Sequence, residues 1–507
     1  MKHALSVTRQ QNFAAWYQEV ITEADLAEES GVRGCMVIRP WGYGIWERIQ
    51  KLMDAEIKAA GVDNCYFPLF IPLSFFEKEA DHVDGFAKEM AVVTHHRLVP
   101  DGKGKLIPDP ASKLEEPLVV RPTSETLIGA AMSRWVQSWR DLPLMVNQWA
   151  NVVRWEMRTR MFLRTSEFLW QEGHTAHTDK DDAMVETLRA LEMYRAFAEG
   201  PLAMPVIAGE KPENERFPGA VATFSIEAMM QDGKALQAGT THYLGTGFAE
   251  ASGIKYQDRE GTQQLAHTTS WGVSTRLIGG VIMTHGDDDG LRCPPQIAPH
   301  QIVIIPMLRD NDEDTAVLDY CRALRAELLG QSAFGEPLRV LLDVKAAKAS
   351  NKRWSWVKKG APLIIEVGPR DIAEGKVAVL RRDRLYKDDG KLATEFQLCT
   401  DFTGWAGPAL EAIQHSLYAE ASARLRNNIV RGVTDIAAHF GKDDKFVGWA
   451  EVEWARPTGA ALDKVVAQLK AHKLTMRNVP MDAAVADGLC IFTGAPAVER
   501  ILVGRAY

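Results

Sequence analysis

The feature that most constrains the fold is a series of short strand candidates separated by turns rather than by regularly alternating helices. The candidates cover residues 118–121, 145–156, 168–177, 220–229 and 242–248. Strands joined by short turns pair antiparallel, whereas a parallel sheet needs a long crossover, usually a helix, between successive strands. The pattern therefore predicts an α+β fold, in which helices cover an antiparallel sheet.

Helix candidates flank this series of strands. Apolar residues recur at helical spacing over 44–60, and Gly61 follows as a stop signal. Further helices are predicted over 11–26 and 179–197, and the apolar segment 65–72 is predicted as a strand interrupted by prolines. These elements place residues 1–295 in one domain.

Two smaller regions follow a proline-containing linker at 293–299. Strand and helix candidates alternate over 300–405, which predicts a small α/β domain. The remainder, 408–507, opens with a long helix candidate over 408–431 and predicts an α+β C-terminal domain. A length of 507 residues is consistent with three domains of ordinary size.

Charge and composition exclude several classes of protein. The formal net charge of −8 argues against a protein that coats nucleic acid, DNA included, through bulk charge, but it does not exclude a local basic surface that binds one RNA. Neither a run of about 18 apolar residues nor an N-terminal signal sequence is present, so we expect a cytoplasmic protein without membrane contact. The six cysteines are widely spaced, which predicts reduced thiols.

One candidate for phosphate chemistry is the pair Arg154 and Glu156, at the end of the strand candidate 145–156. Residues two apart on a strand point to the same face, and a guanidinium group can hold a phosphate or carboxylate through two parallel hydrogen bonds. The same triplet also fits an ion pair on a solvated sheet face, and the residues alone do not decide between these interpretations.

Two further segments combine polar groups with aromatic or glycine residues. Trp170 and Glu172 would form an aromatic wall with a carboxylate, which suits a small cationic ligand. In the segment 237–242, Gly239 allows close backbone approach, while Thr240 and His242 would project together from an extended chain. The alternatives are a core tryptophan beside an exposed glutamate, and a polar turn.

A basic cluster lies within the second region. Two tryptophans, Trp354 and Trp356, are interleaved with cations, which suits phosphate contacts combined with base stacking, although a solvated basic face fits equally well. The cations are Lys345, Lys348, Lys352, Arg353, Lys358 and Lys359.

Several long strings in this order resemble the class II aminoacyl-tRNA synthetases, and specifically the prolyl-tRNA synthetases of the archaeal and eukaryotic-like type. The strings are Arg121-Pro-Thr-Ser-Glu125, Arg164-Thr-Ser-Glu-Phe-Leu-Trp-Gln-Glu-Gly-His174, Ser270-Trp-Gly with Ser274-Thr-Arg276, His285-Gly-Asp287 and Gly368-Pro-Arg-Asp371. The resemblance covers nearly the whole chain. It implies a class II antiparallel sheet flanked by helices, an α/β anticodon-binding domain and an α+β C-terminal domain.

The resemblance also implies a function and a set of site residues. L-Proline would be activated by ATP with Mg²⁺ to prolyl-adenylate and pyrophosphate, and then transferred to tRNA(Pro), with Arg154 and Arg276 as the catalytic residues. The implied proline-binding residues are Thr123, Glu125, Arg154, Trp170, Glu172, Phe217 and His242. The implied ATP-binding residues are Arg154, Glu156, Phe168, Gln237, Thr240, Ser274 and Arg276.

Other family features are implied or missing. Pro68 lies where the family carries a dimer-interface proline, so we expect a homodimer, and Tyr507 resembles a terminal tyrosine that folds back toward the catalytic domain. Many relatives carry a four-cysteine zinc site, but the matching stretches, 446–454 and 489–496, retain only Cys490, so we expect no zinc. The segment 175–236 is too short for the hydrolytic insertion of bacterial-type enzymes, so we expect no editing of alanine.

Two alternatives to an active ligase remain at this point. A synthetase-like regulator would keep the fold without ligation, but loss of the phosphate-binding arginines would be its sign, and Arg154 and Arg276 are both present. A free-standing amino-acid adenylating enzyme would usually lack the anticodon-binding domain, which this chain retains.

Overall fold

The computed structural model describes residues 3–77, 90–309, 311–441 and 448–507. The helices are α1 (Phe13–Glu23), α2 (Pro40–Ala59), α3 (Leu73–Glu77), α4 (Glu125–Trp135), α5 (Lys180–Glu199), α6 (Gly247–Ser252), α7 (Arg276–His285), α8 (Asp314–Leu329), α9 (Ala349–Lys359), α10 (Pro369–Glu374), α11 (Cys399–Asn427), α12 (Ile436–Phe440) and α13 (Gly459–Ala471). In the described part of the chain, no helix is both long and apolar enough to cross a membrane.

The strands follow the same chain order. They are β1 (Ala27–Glu29), β2 (Met36–Ile38), β3 (Asp63–Asn64), β4 (Phe70–Pro72), β5 (Val92–His95), β6 (Leu98–Pro100), β7 (Leu106–Pro108), β8 (Lys113–Val120), β9 (Leu144–Val153), β10 (Glu167–His177), β11 (Val206–Glu210), β12 (Ala222–Met229), β13 (Ala235–Gly245), β14 (Lys255–Gln257), β15 (Gln263–Leu265), β16 (His267–Ser274), β17 (Ile302–Pro306), β18 (Ser332–Ala333), β19 (Glu336–Pro337), β20 (Val340–Leu342), β21 (Leu363–Val367), β22 (Lys376–Arg381), β23 (Glu395–Leu398), β24 (Ile429–Arg431), β25 (Trp449–Trp454), β26 (Thr475–Met476), β27 (Val479–Pro480) and β28 (Glu499–Gly504).

The largest sheet carries the strands of the first region in the order β27-β11-β12-β13-β16-β10-β9-β3. Its pairs are antiparallel except for the short parallel pair of β3 with β9, so the expected antiparallel sheet is confirmed. Helix α5 packs on one face, where the Tyr194 hydroxyl donates to Gln171 Oε1 at 2.6 Å. Residues that alternate with Gln171 on β10 therefore point to the opposite face.

The second region contains a mixed sheet in the order β20-β17-β21-β22-β23, with the first three strands parallel. Its core includes Phe402, Leu410 and Leu417 from α11, which begins nine residues before the predicted start and contains Pro408 in its interior. The helix therefore crosses the expected boundary between 405 and 408. Periodicity alone did not reveal this, because a proline inside a helical pattern is read as a helix start.

The last region forms the sheet β24-β25-β28-β26 and also adds β27 to the edge of the large sheet. Three expectations need local correction. Helix α2 begins at Pro40, where the absent N–H group of proline costs no hydrogen bond. The apolar segment 65–72 forms a strand only over Phe70–Pro72, and β9 ends at Val153 rather than at Glu156.

Candidate functional site

An open cleft of about 1000 Å³ lies on the face of the large sheet opposite α5. Strands β10, β13 and β16 contribute much of its floor. Of the thirteen residues expected from the family resemblance, the structure brings all except Glu156 to this cleft. These lining residues are Thr123, Glu125, Arg154, Phe168, Trp170, Glu172, Phe217, Gln237, Thr240, His242, Ser274 and Arg276.

Strand alternation explains why β10 contributes so many of these residues. The face of β10 toward the cleft carries four residues spaced two apart along the strand: Phe168, Trp170, Glu172 and His174. Gly272 on β16 pairs with Glu172, and an added Cβ there would lie 3.1 Å from the Gln171 carbonyl oxygen. Because glycine has no side chain, position 272 does not project into the cleft.

Arg154 lies at the end of β9, where the chain leaves the sheet. Its Nε donates to the Pro122 carbonyl oxygen at 2.9 Å, and its guanidinium carbon lies 5.6 Å from the ring centroids of both Phe168 and Trp170. Burial lowers the pKa of Arg154, against the opposing charges of Glu125 and Glu172. The side chain is thus held in a fixed position before any ligand binds.

Arg276 is the first residue of α7 and reaches the same cleft from β16. Its Nε donates to the Leu163 carbonyl oxygen at 3.2 Å, and its backbone N–H donates to Ser274 Oγ at 3.2 Å. Burial, followed by the positive charges of Arg154 and Arg164, lowers the pKa of Arg276 to about 10. Both guanidinium groups therefore create a positive potential in one volume, next to a helix N-terminus that also favours anions.

Glu172 forms the centre of a buried polar network. Its Oε1 accepts from Ser124 Oγ at 2.6 Å and from Gln148 Nε2 at 2.5 Å, while its Oε2 lies 2.9 Å from His174 Nε2. Burial opposes protonation of His174, but the hydrogen bond and charge of Glu172 outweigh it and raise the pKa of that imidazole. Close by, the Thr123 hydroxyl donates to Glu125 Oε2. These contacts place two carboxylates at one end of the cleft.

Phe217 and His242 form an apolar wall beside these carboxylates. Their ring centroids are 4.7 Å apart, and Thr223 Oγ1 lies 3.0 Å from His242 Nδ1. Burial lowers the pKa of His242 to about 4, so the imidazole is neutral at pH 7. The wall combines flat rings with a small polar edge, which suits a compact cyclic ligand.

Glu156 does not line the cleft. Because β9 ends at Val153, Arg154 and Glu156 do not alternate on a common strand face as predicted. Glu156 instead lies 3.4 Å from Arg164 Nε, and its Oε1 accepts from the Arg158 backbone N–H at 3.0 Å. Glu156 therefore forms an ion pair, as the alternative interpretation of this segment proposed, but its partner is Arg164 rather than Arg154.

Several cleft residues were not predicted. His174 could have been found, because it continues the alternation of Trp170 and Glu172 along β10. Glu215 and Arg216 reach the cleft from the irregular segment between β11 and β12, where no periodic pattern indicates which side chain points inward.

The basic cluster of the second region is mostly engaged inside the protein. Lys352 donates to the Asp343 carbonyl oxygen at 2.9 Å, Arg353 pairs with Glu366, and Lys358 and Lys359 pair with Glu23 and Asp25. Trp356 is buried, and its indole N–H donates to Asp343 Oδ2 at 2.8 Å. Only Lys345 and Lys348 of this cluster are exposed, and contact of the cluster with RNA stays a prediction.

The stretches that match the family zinc site hold one cysteine, Cys490, which is buried. Phe446 and Val447 of the first stretch lie outside the described residues. Across the parts of the chain that are described, no group of three or more histidine, cysteine, aspartate or glutamate side chains could hold a metal ion. The absence of zinc stays a prediction.

Comparison with known proteins identifies the family. Residues 109–285 match the class II core domain of tRNA synthetases (G, H, P, S and T), and residues 301–394 match an anticodon binding domain. The proline–tRNA ligase of Sphingopyxis alaskensis is 79% identical over 507 residues, covering 100% of this chain and 96% of that protein. Those of Novosphingobium aromaticivorans and Bdellovibrio bacteriovorus are 73% and 51% identical, and each alignment covers at least 99% of both chains. The chain therefore belongs to the proline–tRNA ligase family, with a class II synthetase core followed by an anticodon-binding domain.

Proposed function

We propose that this chain ligates L-proline to tRNA(Pro) in two steps, through a prolyl-adenylate made from ATP. The strongest support is one observation: the guanidinium groups of Arg154 and Arg276 line a single cleft, next to a small ring-lined pocket with buried carboxylates. A phosphate-binding site and a site for a compact cationic ligand thus share one volume.

The carboxylates would bind the amino end of proline. Proline is a secondary amine that is cationic at neutral pH, with two N–H donors for Glu125 and Thr123. Trp170, Phe217 and His242 would enclose the pyrrolidine ring. Selection against alanine would then depend on filling this volume, at about 1–3 kcal/mol for each missing methylene group.

The first chemical step needs little proton transfer. A carboxylate oxygen of proline attacks the α-phosphorus of ATP, the bond from that phosphorus to the bridging oxygen breaks, and pyrophosphate leaves. Negative charge grows on the phosphoryl oxygens, where the fixed guanidinium of Arg154 would stabilise it, while Arg276 would hold the far end of the triphosphate. Mg²⁺ would arrive with ATP as its counterion.

The remaining nucleotide contacts are proposed by family resemblance and by position in the cleft. Phe168 would stack on adenine, while Gln237, Thr240 and Ser274 would contact the nucleotide from β13 and β16. Glu156 would act only indirectly, through Arg164. In the second step, a hydroxyl at the tRNA 3′ end attacks the prolyl carbonyl carbon and AMP leaves.

We also propose the finer subtype, an enzyme of the archaeal and eukaryotic-like architecture without a cis-editing insertion. Support comes from the segment between Thr175 and Leu236, which is largely used by α5, β11 and β12 of the catalytic domain. The relatives named above are bacterial proteins, so the term describes architecture rather than source.

The proposal further includes three domains, a cytoplasmic homodimer with Pro68 near its interface, and no structural zinc. The domains would be 1–295, 300–405 and 408–507, with α11 shared between the last two. Sedimentation would test the dimer, and a metal assay would test for zinc; tightly bound stoichiometric zinc would contradict the last statement.

Two assays test the function itself. Proline-dependent exchange of radioactive pyrophosphate into ATP should be observed without tRNA, and charging of tRNA(Pro) should follow when tRNA is added. Exchange without charging would instead favour a free-standing adenylating enzyme, and loss of both would favour a regulator. Preformed alanyl-tRNA(Pro) should be hydrolysed no faster with the enzyme than without it.

A further inference from the structure

The last region of the chain joins the large sheet at its outer edge. Strand β27 pairs antiparallel with β11, and Gly209 lies opposite Pro480. A Cβ added at Gly209 would lie 2.3 Å from the Val479 carbonyl oxygen, so the two backbones approach as closely as glycine allows. Nearby, Asn478 Nδ2 donates to the Ile207 carbonyl oxygen at 3.0 Å. The last region is therefore fixed directly to the sheet that carries the cleft.

Next to this edge, three buried charged side chains form one cluster, which we call the buried ion cluster: Glu227, Lys211 and Arg477. Glu227 lies on β12, and its Oε1 is 2.9 Å from Lys211 Nζ. Its Oε2 accepts from Nε and Nη2 of Arg477, at 3.1 Å and 2.7 Å. Burial would raise the pKa of Glu227, but the charges of Arg477 and Lys211 outweigh it and lower that pKa to about 2. The carboxylate thus stays ionised and joins a cation of the last region to one of the first.

Lys211 begins the segment 211–217, which ends in a wall of the cleft. The Lys211 backbone N–H donates to the Thr223 carbonyl oxygen at 2.7 Å, and the Phe217 backbone N–H donates to Thr223 Oγ1 at 3.0 Å. The same Oγ1 lies 3.0 Å from Nδ1 of His242, whose ring packs against Phe217. Both ends of the segment are therefore fixed to one residue of β12, the strand that also carries the buried carboxylate.

A second link from the last region reaches the same segment at the protein surface. The exposed Arg456 donates from Nη2 to Glu210 Oε2 at 2.7 Å and from Nε to Glu499 Oε1 at 2.6 Å. The other carboxylate oxygen of Glu210 accepts from Arg216 Nη2 at 3.3 Å. Arg216 lines the cleft beside Phe217. The last region thus supports the segment through one buried and one exposed set of contacts.

The segment needs such support because it has little regular structure of its own. Between β11 and β12, where every residue is described, the one regular element is the short 3-10 turn Glu213–Glu215. A buried ion cluster adds little net stability, since desolvation offsets the attraction, but its hydrogen bonds have a defined geometry. We propose that Arg477 is a positioning residue for the amino-acid pocket, which acts through Glu227 and Lys211. The last region then sets the position of the Phe217 wall and, with it, the affinity for the amino acid.

This inference rests on the proposed function for its kinetic consequence, because proline is taken from that function. The support of the segment 211–217 is a property of the folded chain alone. A residue that only stabilised the attachment of the last region would lower the folded fraction, and with it the apparent kcat, without changing any KM. The two roles therefore differ in what they change.

The kinetic test varies proline and ATP separately in the pyrophosphate exchange reaction of the full-length chain. Arg477→Gln should raise the KM for proline about tenfold if the segment is correctly placed in about one tenth of the molecules, because apparent affinity falls with the competent fraction. The KM for ATP should change less than about twofold. Arg477→Lys keeps the charge and should raise the KM for proline by no more than about threefold.

Two further variants cover a failure of Arg477→Gln to fold and provide a control. Arg456→Gln removes the exposed link and should raise the KM for proline about two- to threefold. Arg500→Gln is the matched control, because Arg500 also forms an ion pair in the last region, with Glu453 at 2.8 Å on the neighbouring strand. It should change neither KM. An unchanged KM for proline in both the Arg477 and Arg456 variants would overturn the inference.

Hydrogen exchange gives a measurement that does not need turnover. Without ligands, the backbone amides of Lys211 and Phe217 should exchange about tenfold faster in Arg477→Gln than in the unmodified chain, and Arg500→Gln should leave both unchanged. Unchanged exchange at both amides in Arg477→Gln would overturn the inference. Lack of proline-dependent activity in the unmodified chain would instead count against the proposed function, and amide exchange would still decide whether Arg477 supports the segment.

Discussion

The cleft on the large sheet and helix α9 both concentrate positive charge, but their cations are held in different ways. In the cleft, Arg276 is held by the Leu163 carbonyl oxygen and by its place at the start of α7. On α9, Arg353 is paired with Glu366, and Lys358 with Glu23. A cation that is fixed by neutral groups keeps its charge for a ligand, whereas one paired with a carboxylate has already used it for folding.

The comparison first predicts a large loss of activity without loss of stability in the cleft. Arg154→Ala should slow proline-dependent pyrophosphate exchange by about 10²–10³-fold, because a preorganised cation no longer stabilises the charge that develops at phosphorus. Its thermal midpoint should stay close to that of the unmodified enzyme. Arg134→Ala, at an exposed position on α4, is the matched control and should keep full exchange. Near-normal exchange in the Arg154 variant would remove that residue from its assigned role.

The second prediction concerns two histidines of the cleft whose pKa values shift in opposite directions. Burial lowers the pKa of His242 to about 4, so its contribution to stability is present above the unfolded value of about 6.5 and is lost as pH falls toward 4. His242→Gln should therefore remove up to about 3 kcal/mol of the acid-dependent loss in the free energy of unfolding between those pH values.

His174 should show the reverse dependence. The hydrogen bond and charge of Glu172 overcome burial and raise its pKa, so its contribution is complete below about pH 6.5 and is lost as pH rises through the raised value. The two contributions are separated by unfolding with denaturant across a pH series, for the unmodified enzyme, His242→Gln and His174→Gln. Parallel curves for all three proteins would show that neither imidazole titrates differently in the folded state.

Much of this cleft could be predicted from the sequence because its residues follow strand alternation and long family strings. Trp170 and Glu172 share a face for purely geometric reasons, and the antiparallel sheet followed from short turns between strands. The strand was predicted to continue to Glu156, whereas β9 ends at Val153, because strand ends carry little local signal.

The charge on α9 was harder to interpret, because composition does not reveal partners. The carboxylates that pair with this helix come from distant segments: Glu23 and Asp25 lie in the first region, and Glu366 lies on β21. Only the tertiary structure brings them together. The same reason explains why the predicted start of α11 was too late. The residues before 408 are helical because they pack in the core of the second region.

A third prediction sharpens the contrast from the side of α9. Lys352→Met keeps most of the buried side-chain volume but leaves the Asp343 carbonyl oxygen without the 2.9 Å hydrogen bond from Nζ. The free energy of unfolding should fall by about 1–3 kcal/mol, while the rate of pyrophosphate exchange per folded molecule should not change. Lys348→Met, at an exposed lysine just before α9, should leave stability within about 0.5 kcal/mol. Equal stability of the two variants would show that the buried lysine is not structural.

The smallest expected effect tests whether any part of the cluster still meets RNA. Lys345 and Lys348 are exposed, whereas Lys359 Nζ lies 2.8 Å from Asp25 and Lys358 pairs with Glu23. Replacing the exposed pair with glutamine should raise the KM for tRNA(Pro) a few fold. It should also reduce the dependence of that KM on salt, because tRNA binding with fewer phosphate contacts releases fewer counterions. Replacing the paired lysines should cost about 0–1 kcal/mol of stability and leave the KM for tRNA unchanged. A larger rise in the KM for tRNA on replacing the paired lysines would mean that their ion pairs open when tRNA binds. The distinction between charge used in folding and charge kept for a ligand would then not hold for this helix.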